Sequence, residues 1–265
     1  TRFNPPNQGT GIFNLSTGES RFLIEGCEIS NNRGTPVVVG NGTHVLNNSI
    51  HDNRWVGIGG YEVAAVKIDH NEIFNNYLAD IPPDTATGDA SGMKFAKTAD
   101  VAVTNNVVRD NHGVGIWFDT DNIWTVIDGN VVAGNAFRGI MVEASYGAAI
   151  SNNIITENGK LSGWIAGAGI LISTASNVEV FRNVLGNNAQ GIIGFQQDRG
   201  RGSRGEYVTR NNHIHDNFIA MADGITGFTS GAELDKTNRF SGNHYTLKRS
   251  AAFIWGNKTD VTGWL

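Results

Sequence analysis

Polar and apolar positions along this chain follow one short rhythm. An asparagine, any residue, an isoleucine, valine or leucine, two further residues and a second asparagine form a hexad. It recurs at Asn48–Asn53, Asn71–Asn76, Asn106–Asn111, Asn130–Asn135, Asn153–Asn158, Asn183–Asn188 and Asn212–Asn217. Weaker copies flank the series at Cys27–Asn32 and Asn243–Lys248. Consecutive starts are 21, 23, 35, 24, 23, 30, 29 and 31 residues apart, so a basal unit of 21–24 residues carries insertions in some copies. Each unit opens on an apolar run such as Gly115–Phe118, passes through an alternating stretch such as Thr125–Ile127, and closes on the hexad. No segment sustains a 3.6-residue period, so helices are expected to be few.

Short strands at a period just above twenty, punctuated by Gly and Asn, predict a solenoid. Leucine-rich repeats share the period, but their L-x-x-L-x-L pattern is missing. The expected fold is all-β: a parallel β-helix of about nine or ten coils, stacked at the strand spacing of about 4.8 Å into a rod of roughly 45 Å. Isoleucine and valine at fixed positions stack into the core. Asparagine suits the corners, since it tolerates left-handed backbone and its amide bonds up and down the stack. A sandwich is the competing fold for many short strands, but it needs no repeated hexad. The whole of 1–265 is expected to be one domain.

Composition narrows the class. Glycine supplies 34 of 265 residues and asparagine 31; glycine alone averages roughly 7% in globular chains. With 40% apolar and 17% charged residues the chain is neither disordered nor collagen-like. A formal charge of −5 leaves no basic footprint for nucleic acid. No apolar stretch is long enough to span a membrane. One cysteine, Cys27, allows neither an internal disulfide nor a CxxC metal site, and is expected to be a small core residue.

These repeats resemble right-handed parallel β-helix repeats of the pectate-lyase-like superfamily, which includes polysaccharide lyases, uronate epimerases and phage tailspikes. The resemblance covers nearly the whole chain. A tighter one runs from about residue 88 to 200, through Gly92–Phe95, Gly115–Asn122, Gly139–Tyr146, Gly167–Ile172 and Gln196–Gly200. Those segments are similar to a group of secreted bacterial β-helix proteins of unassigned activity. The resemblance implies a secreted or extracellular carbohydrate-active protein. The epimerase signature Asp-Pro-His is missing, which counts against that reaction.

Aligning coils on the residue after each leading glycine places Ile58, Met93, Ile116, Ile140, Ile170 and Ile192 in one inward column. The outward columns then read Val38, Gly59, Lys94, Trp117, Met141, Leu171, Ile193, and Gly40, Tyr61, Ala96, Asp119, Glu143, Ser173, Phe195. Asp119 and Glu143 become neighbours one rung apart, Asp121 lies diagonal to Glu143 at about 7–8 Å, and Lys94 is one coil away. Like carboxylates at that distance repel, which raises the proton affinity of one. The adjacent pair fits the roughly 5 Å of a retaining glycosidase and the diagonal pair the longer spacing of an inverting one. A lyase would use a base such as Lys94 and neutralise a uronate, a task clustered oxygens could give to calcium. The plain alternative is a solvated surface with an ion pair of little worth. The catalytic candidates are Glu143, Asp119, Asp121 and Lys94.

Insertions at about 77–92 (with Asp80, Pro82, Pro83 and Asp84), 159–168 (with Trp164) and 197–206 are expected to wall a groove. Trp117, Trp164 and Tyr146 could stack on sugar rings, although Trp117 could equally be local core. Gln196, Gln197 and Arg199 complete the substrate-binding candidates. Arg199, Arg201, Arg204 and Arg210 could hold an anionic sugar, or belong to a solvated loop. His51, His70, His112, His213, His215 and His244 show no convincing metal spacing and read as surface or ladder residues. Sequons at Asn14, Asn41, Asn47 and Asn257 carry little weight in so asparagine-rich a chain. The apolar stretch from Phe253 to Leu265 predicts a cover beyond it, either a trimer partner or a further C-terminal domain.

The functional expectation is therefore a polysaccharide-binding and cleaving enzyme, hydrolase or lyase, with a lateral groove. The alternative is a non-enzymatic structural or receptor-binding module, such as part of a phage tail or a cell-surface component.

Overall fold

The computed structural model describes residues 12–13, 21–78, 90–160, 167–256 and 258. Asp80, Pro82, Pro83, Asp84, Trp164, the sequons at Asn14 and Asn257, and Trp264 and Leu265 lie outside them. The chain is a parallel β-helix whose coils show three faces. The first face stacks Val37–Val39, Ile58–Tyr61, Ser91–Ala96, Val114–Phe118, Ile140–Glu143, Ala168–Ser173 and Gln190–Phe195. The second face is a nine-stranded sheet from Leu23–Glu25 to Arg239–Ser241. The third stacks the three-residue strands inside the hexads up to Asn183–Asn188, such as Val107–Arg109 on Val131–Ala133. The hexad Asn212–Asn217 falls out of this register: its His213–His215 lies on the second face against Glu179–Phe181, and its Asn217, not Asn212, accepts from Asn183 Nδ2 at 2.9 Å. In the last two coils, Phe218–Thr229 and His244–Trp255 run through the corner between the third and first faces, which joins those faces into one 17-stranded sheet. Among the described residues the one helical element is a 3-10 turn, Ala232–Leu234. No described helix is long and apolar enough to cross a membrane.

The expected register holds on the first face. Lys94 pairs with Gly59 and Trp117, Trp117 with Met141, Met141 with Leu171, and Leu171 with Ile193. The inward column Ile58, Met93, Ile116, Ile140, Ile170, Ile192 is fully buried. Burial of each such side chain stabilises by about 1.5–3 kcal/mol.

The corner asparagines divide the work expected of one residue between two. Both hexad asparagines are buried and form amide ladders: Asn71 Nδ2 donates to Asn106 Oδ1 at 3.0 Å, Asn106 to Asn130 at 3.0 Å and Asn130 to Asn153 at 2.9 Å. The second ladder runs from Asn76 to Asn111 at 3.1 Å, then to Asn135 and Asn158 at 2.9 Å each. None of these residues has left-handed backbone. That conformation falls one position earlier, on His70, Asn105, Gly129 and Asn152 before the first ladder, and on Asn75, Asp110, Gly134 and Glu157 before the second. The turn and the amide ladder thus make separate demands on sequence.

One expectation and one alternative reading fail. Cys27 is exposed rather than buried in the core. It stands in the ladder column one coil before Asn48, where its backbone N–H donates to the Asn48 amide oxygen at 2.9 Å. The outward surface of the first face is also not an open face. Every residue of Ser91–Ala96, Val114–Phe118 and Ala168–Ser173 is buried. The outward column itself explains this: Trp117, Met141, Leu171 and Ile193 are apolar in succession, and so large an apolar stripe is stable only under cover. They form a second core with Val114 and Ala168, packed against Phe137, Phe195 and Ile225.

Candidate functional site

At the edge of that second core, where the first face turns into the second, the chain buries charge. Lys94 is 1% exposed, Asp119 5% and Glu143 6%. Lys94 reaches Asp119 Oδ2 with Nζ at 3.0 Å and lies 3.6 Å above the Trp117 ring. In place of the surface ion pair of the plain alternative there is a desolvated one, supported on an indole face. Asp119 is fixed by its backbone, whose N–H donates to Phe95 O at 2.8 Å, and by Thr120 Oγ1, which donates to its carboxylate at 3.0 Å.

Glu143 ends the strand Ile140–Glu143, in register with Ser173. Arg199, on the segment inserted between Phe195 and Thr209, donates to Glu143 Oε1, and its second terminal nitrogen lies 3.8 Å from Asp119 Oδ1. Arg199 therefore bridges the two carboxylates from outside. Burial pushes the Glu143 carboxyl above its usual range, and the Asp119 charge adds to this. Arg199 and Arg138 pull the other way.

Arg138 was not a candidate. Its charge opposes the upward shift of Glu143 from within the structure, and its Nε is buried without a hydrogen-bond partner. Burial works against the guanidinium charge and Glu143 supports it; a group of this basicity stays protonated. A signal existed: the residue before each leading glycine reads Val56, Ser91, Val114, Arg138, Ala168, Gln190, and Arg138 is the one charge in that column. The cluster holds three cations, Lys94, Arg138 and Arg199, against two carboxylates. Its carboxylate oxygens already face cationic nitrogens, which opposes a calcium ion there, since calcium requires six to eight oxygens.

The remaining candidates serve the inserted segment. It folds as a strap with a two-stranded antiparallel hairpin, Arg201–Gly202 against Gly205–Glu206. Asp121 holds the hairpin. Its backbone is left-handed at φ 62°, and its Oδ1 accepts from Ser203 N at 2.9 Å and Ser203 Oγ at 2.8 Å. Tyr146 donates to Gly205 O at 2.6 Å, accepts from Gly202 N at 3.1 Å and stacks on Tyr207. Gln196 donates through Nε2 to Tyr207 O at 3.3 Å, and its Oε1 accepts from Thr209 N at 2.7 Å. Gln197 is exposed, its backbone N–H donating to Thr174 Oγ1 at 3.2 Å. Trp117 belongs to the second core and offers no free face. Arg204 lies over the exposed ring of Trp124 at 4.6 Å. Beside the strap is a pocket of about 490 Å³ lined by Gln196, Gln197, Arg201, Glu206 and Tyr207; Asp119 and Glu143 do not line it.

The residues brought together are thus Lys94, Trp117, Asp119, Glu143 and Arg199, while Asp121, Tyr146 and Gln196 hold the strap that delivers Arg199. In chemical terms, a carboxyl with raised proton affinity sits beside a fixed carboxylate, under a cation that is about a third exposed.

A family model for the right handed beta helix region matches residues 6–120 and 91–263. Among solved structures, the A-module of the Azotobacter vinelandii mannuronan C-5 epimerase AlgE4 is 19% identical, with 91% of this chain and 64% of that one covered at a TM-score of 0.64. An alginate lyase from Paenibacillus sp. is 15% identical, with 83% and 76% covered at 0.63. The periplasmic alginate epimerase AlgG is 14% identical, with 87% and 50% covered at 0.60. The chain spans half of AlgG and just under two thirds of the AlgE6 and AlgE4 modules. At these identities the likeness is one of fold. Comparison by sequence with curated proteins finds no match.

Proposed function

The chain belongs to the family of the right-handed β-helix region, and from that premise we propose that it cleaves an acidic polysaccharide, with Glu143 as the proton-transfer group. One observation carries the reading: a buried carboxyl of raised proton affinity whose covering cation, Arg199, is itself about a third exposed and mounted on a strap. Arg199 pairs with a carboxylate bidentately by preference, and a uronate supplies one. On binding, Arg199 passes from Glu143 to the substrate carboxylate. Glu143 then loses one of the two neighbours that held its proton affinity down, and becomes a stronger base at the moment the substrate arrives.

Elimination follows in balanced form. Glu143 takes the proton from the ring carbon bearing the carboxyl, whose acidity Arg199 increases by neutralising that group. The electron pair forms the ring double bond, the bond from the adjacent carbon to the glycosidic oxygen breaks, and the departing oxygen takes the proton back from Glu143. Lys94 and Asp119 fix the geometry and set the field. The names of the alginate-acting neighbours support an acidic glycan as the substrate class, and a secreted or periplasmic location fits such a substrate.

The test is a panel of uronate polysaccharides, beginning with alginate, followed at once for new reducing ends and for unsaturated-uronate absorbance. Rising absorbance with new reducing ends is the expected result. Reducing ends alone identify a hydrolase, with Glu143 and Asp119 as its carboxylate pair. Neither signal on any member, with binding retained, overturns cleavage in favour of a binding module.

A further inference from the structure

The second face carries a cluster unrelated to the strap and its charges. Glu179 lies on Ser176–Phe181, and His213 and His215 lie on the next coil, on His213–His215, in parallel register with Glu179 opposite His213. Alternation along a strand sends residues two apart to the same side, so both imidazoles leave the sheet outward. Their rings stack at 4.1 Å. One ligand atom from each of the three side chains lies within 4.8 Å of the others. His215 Nε2 is 3.1 Å from Glu179 Oε1. That is close to the edge of a tetrahedron of donors around an ion at about 2.0–2.1 Å.

From this the geometry points to a divalent transition-metal site, of zinc type, made by Glu179, His213 and His215. The outer contacts support it. His215 Nδ1 is held by Asp216 Oδ2 at 2.8 Å, the carboxylate–histidine arrangement that fixes ring orientation and raises donor strength. His213 contacts Ser241 Oγ at 2.7 Å through Nε2. Two stacked imidazoles repel when both are protonated, whereas an ion can be shared between them. Imidazole with one carboxylate selects zinc, copper or nickel over calcium or magnesium. Three protein ligands leave a fourth position to water or to an incoming group.

The ligands come from successive coils, separated in sequence by the strap. A bound ion therefore clamps the strand onto which the strap returns against the coil that precedes it. The molecule holds its own control. His51 contacts Asp52 through Nδ1 at 2.7 Å and faces Glu28 through Nε2 at 3.5 Å. It repeats the carboxylate arrangement of His215 but stacks on Phe74 instead of a second histidine.

The test uses chelator-treated, dialysed protein titrated with zinc chloride by calorimetry, with Tm followed alongside. We expect one equivalent of zinc bound with micromolar or tighter affinity and a rise in Tm of several degrees at saturation. His213→Ala and His215→Asn abolish that step. Asp216→Asn weakens it by about 10–100-fold, as loss of an outer partner does, and His51→Ala leaves it intact. Glu179→Gln removes an exposed carboxylate and keeps the fold, so its loss of binding is read without ambiguity. No zinc uptake by the unmodified protein below millimolar concentration, or uptake unchanged in both Glu179→Gln and His213→Ala, overturns the site. Uptake lost equally in His51→Ala assigns it to scattered histidines and overturns it too.

Discussion

The first and second faces are made by the same coils and obey different rules. On the second face Ile123–Asp128 and Ala99–Thr104 alternate between buried and solvated positions. On the first, Val114–Phe118 and Ala168–Ser173 are buried on both sides. The two-sided strands carry the inward core and a second, outer one, and at the rim of the outer core lie Lys94, Asp119 and Glu143. A charge on the second face is solvated and contributes little. The same charge on the first face is desolvated, so its partner, its proton affinity and its cover all matter. The repeat supplies the scaffold on both faces, and the departure from the repeat, an inserted strap over an apolar column, makes a reactive environment on one.

The largest expected effect breaks the comparison at Glu143. Glu143→Gln preserves shape and removes proton transfer, so turnover on the glycan found by the panel falls roughly 10²–10⁴-fold; turnover within a few-fold of the unmodified protein would remove Glu143 from the chemistry. Stability moves the other way. Because folding raises the Glu143 proton affinity, the ionised form opposes folding. Glu143→Gln is therefore expected to unfold at slightly higher denaturant at neutral pH.

Next is Asp119→Ala, which strands Lys94 in a buried site. A cost of about 3–5 kcal/mol is expected from denaturant melts. Glu179→Ala on the second face, measured without metal, is expected to cost under about 1 kcal/mol. Similar losses at both positions would erase the distinction between the faces.

The pH dependence of stability sharpens it further. A group whose folded proton affinity is raised adds stability that is full below its unfolded pKa, near 4.5 for this carboxyl, and is lost as pH rises through the folded value. Denaturation midpoints of the unmodified protein should decline relative to Glu143→Gln across that window. Parallel curves would show that Glu143 does not titrate differently on folding. The smallest effect is at Asp121→Ala, which releases the hairpin from Ser203. Global stability should change by about 1–2 kcal/mol or less, while amide exchange over 200–206 quickens. Unchanged exchange there would mean that Tyr146 and Gln196 hold the strap without Asp121.

How far the sequence could be read follows from the same contrast. The coil order, the inward isoleucine column and the pairing of Lys94, Trp117, Met141 and Leu171 were legible, because stacking forces equivalent positions together and the hexad marks them. Adjacency of Asp119 and Glu143 came from the same count. Their burial did not, although the apolar run Trp117, Met141, Leu171, Ile193 was the clue to an outer core. The strap contacts of Asp121 and Tyr146 were missed for a different reason. Their partners, Ser203, Gly202 and Gly205, lie in an insertion that no period positions, so nothing local says that they hold a hairpin. Arg138 needed one more column. His213 and His215 looked scattered because their third partner, Glu179, lies across 34 residues of chain and only one coil of structure.

The last two coils carry a consequence for mechanics. In the coils that carry the hexads from Asn48 to Asn188 the chain turns at two asparagine corners, so a pulled chain can release one short strand, pause at a corner, and release the next. Phe218–Thr229 and His244–Trp255 lack the corner between the third and first faces and pair continuously but for one irregularity at Met221–Asp223. Peeling there must advance bond by bond along twelve residues with no intermediate stop. Stretched in an optical trap, the solenoid is expected to yield in small steps over its three-residue strands and in one longer, higher-force step over this pair. The end that departs most from the repeat would then be its mechanical brace.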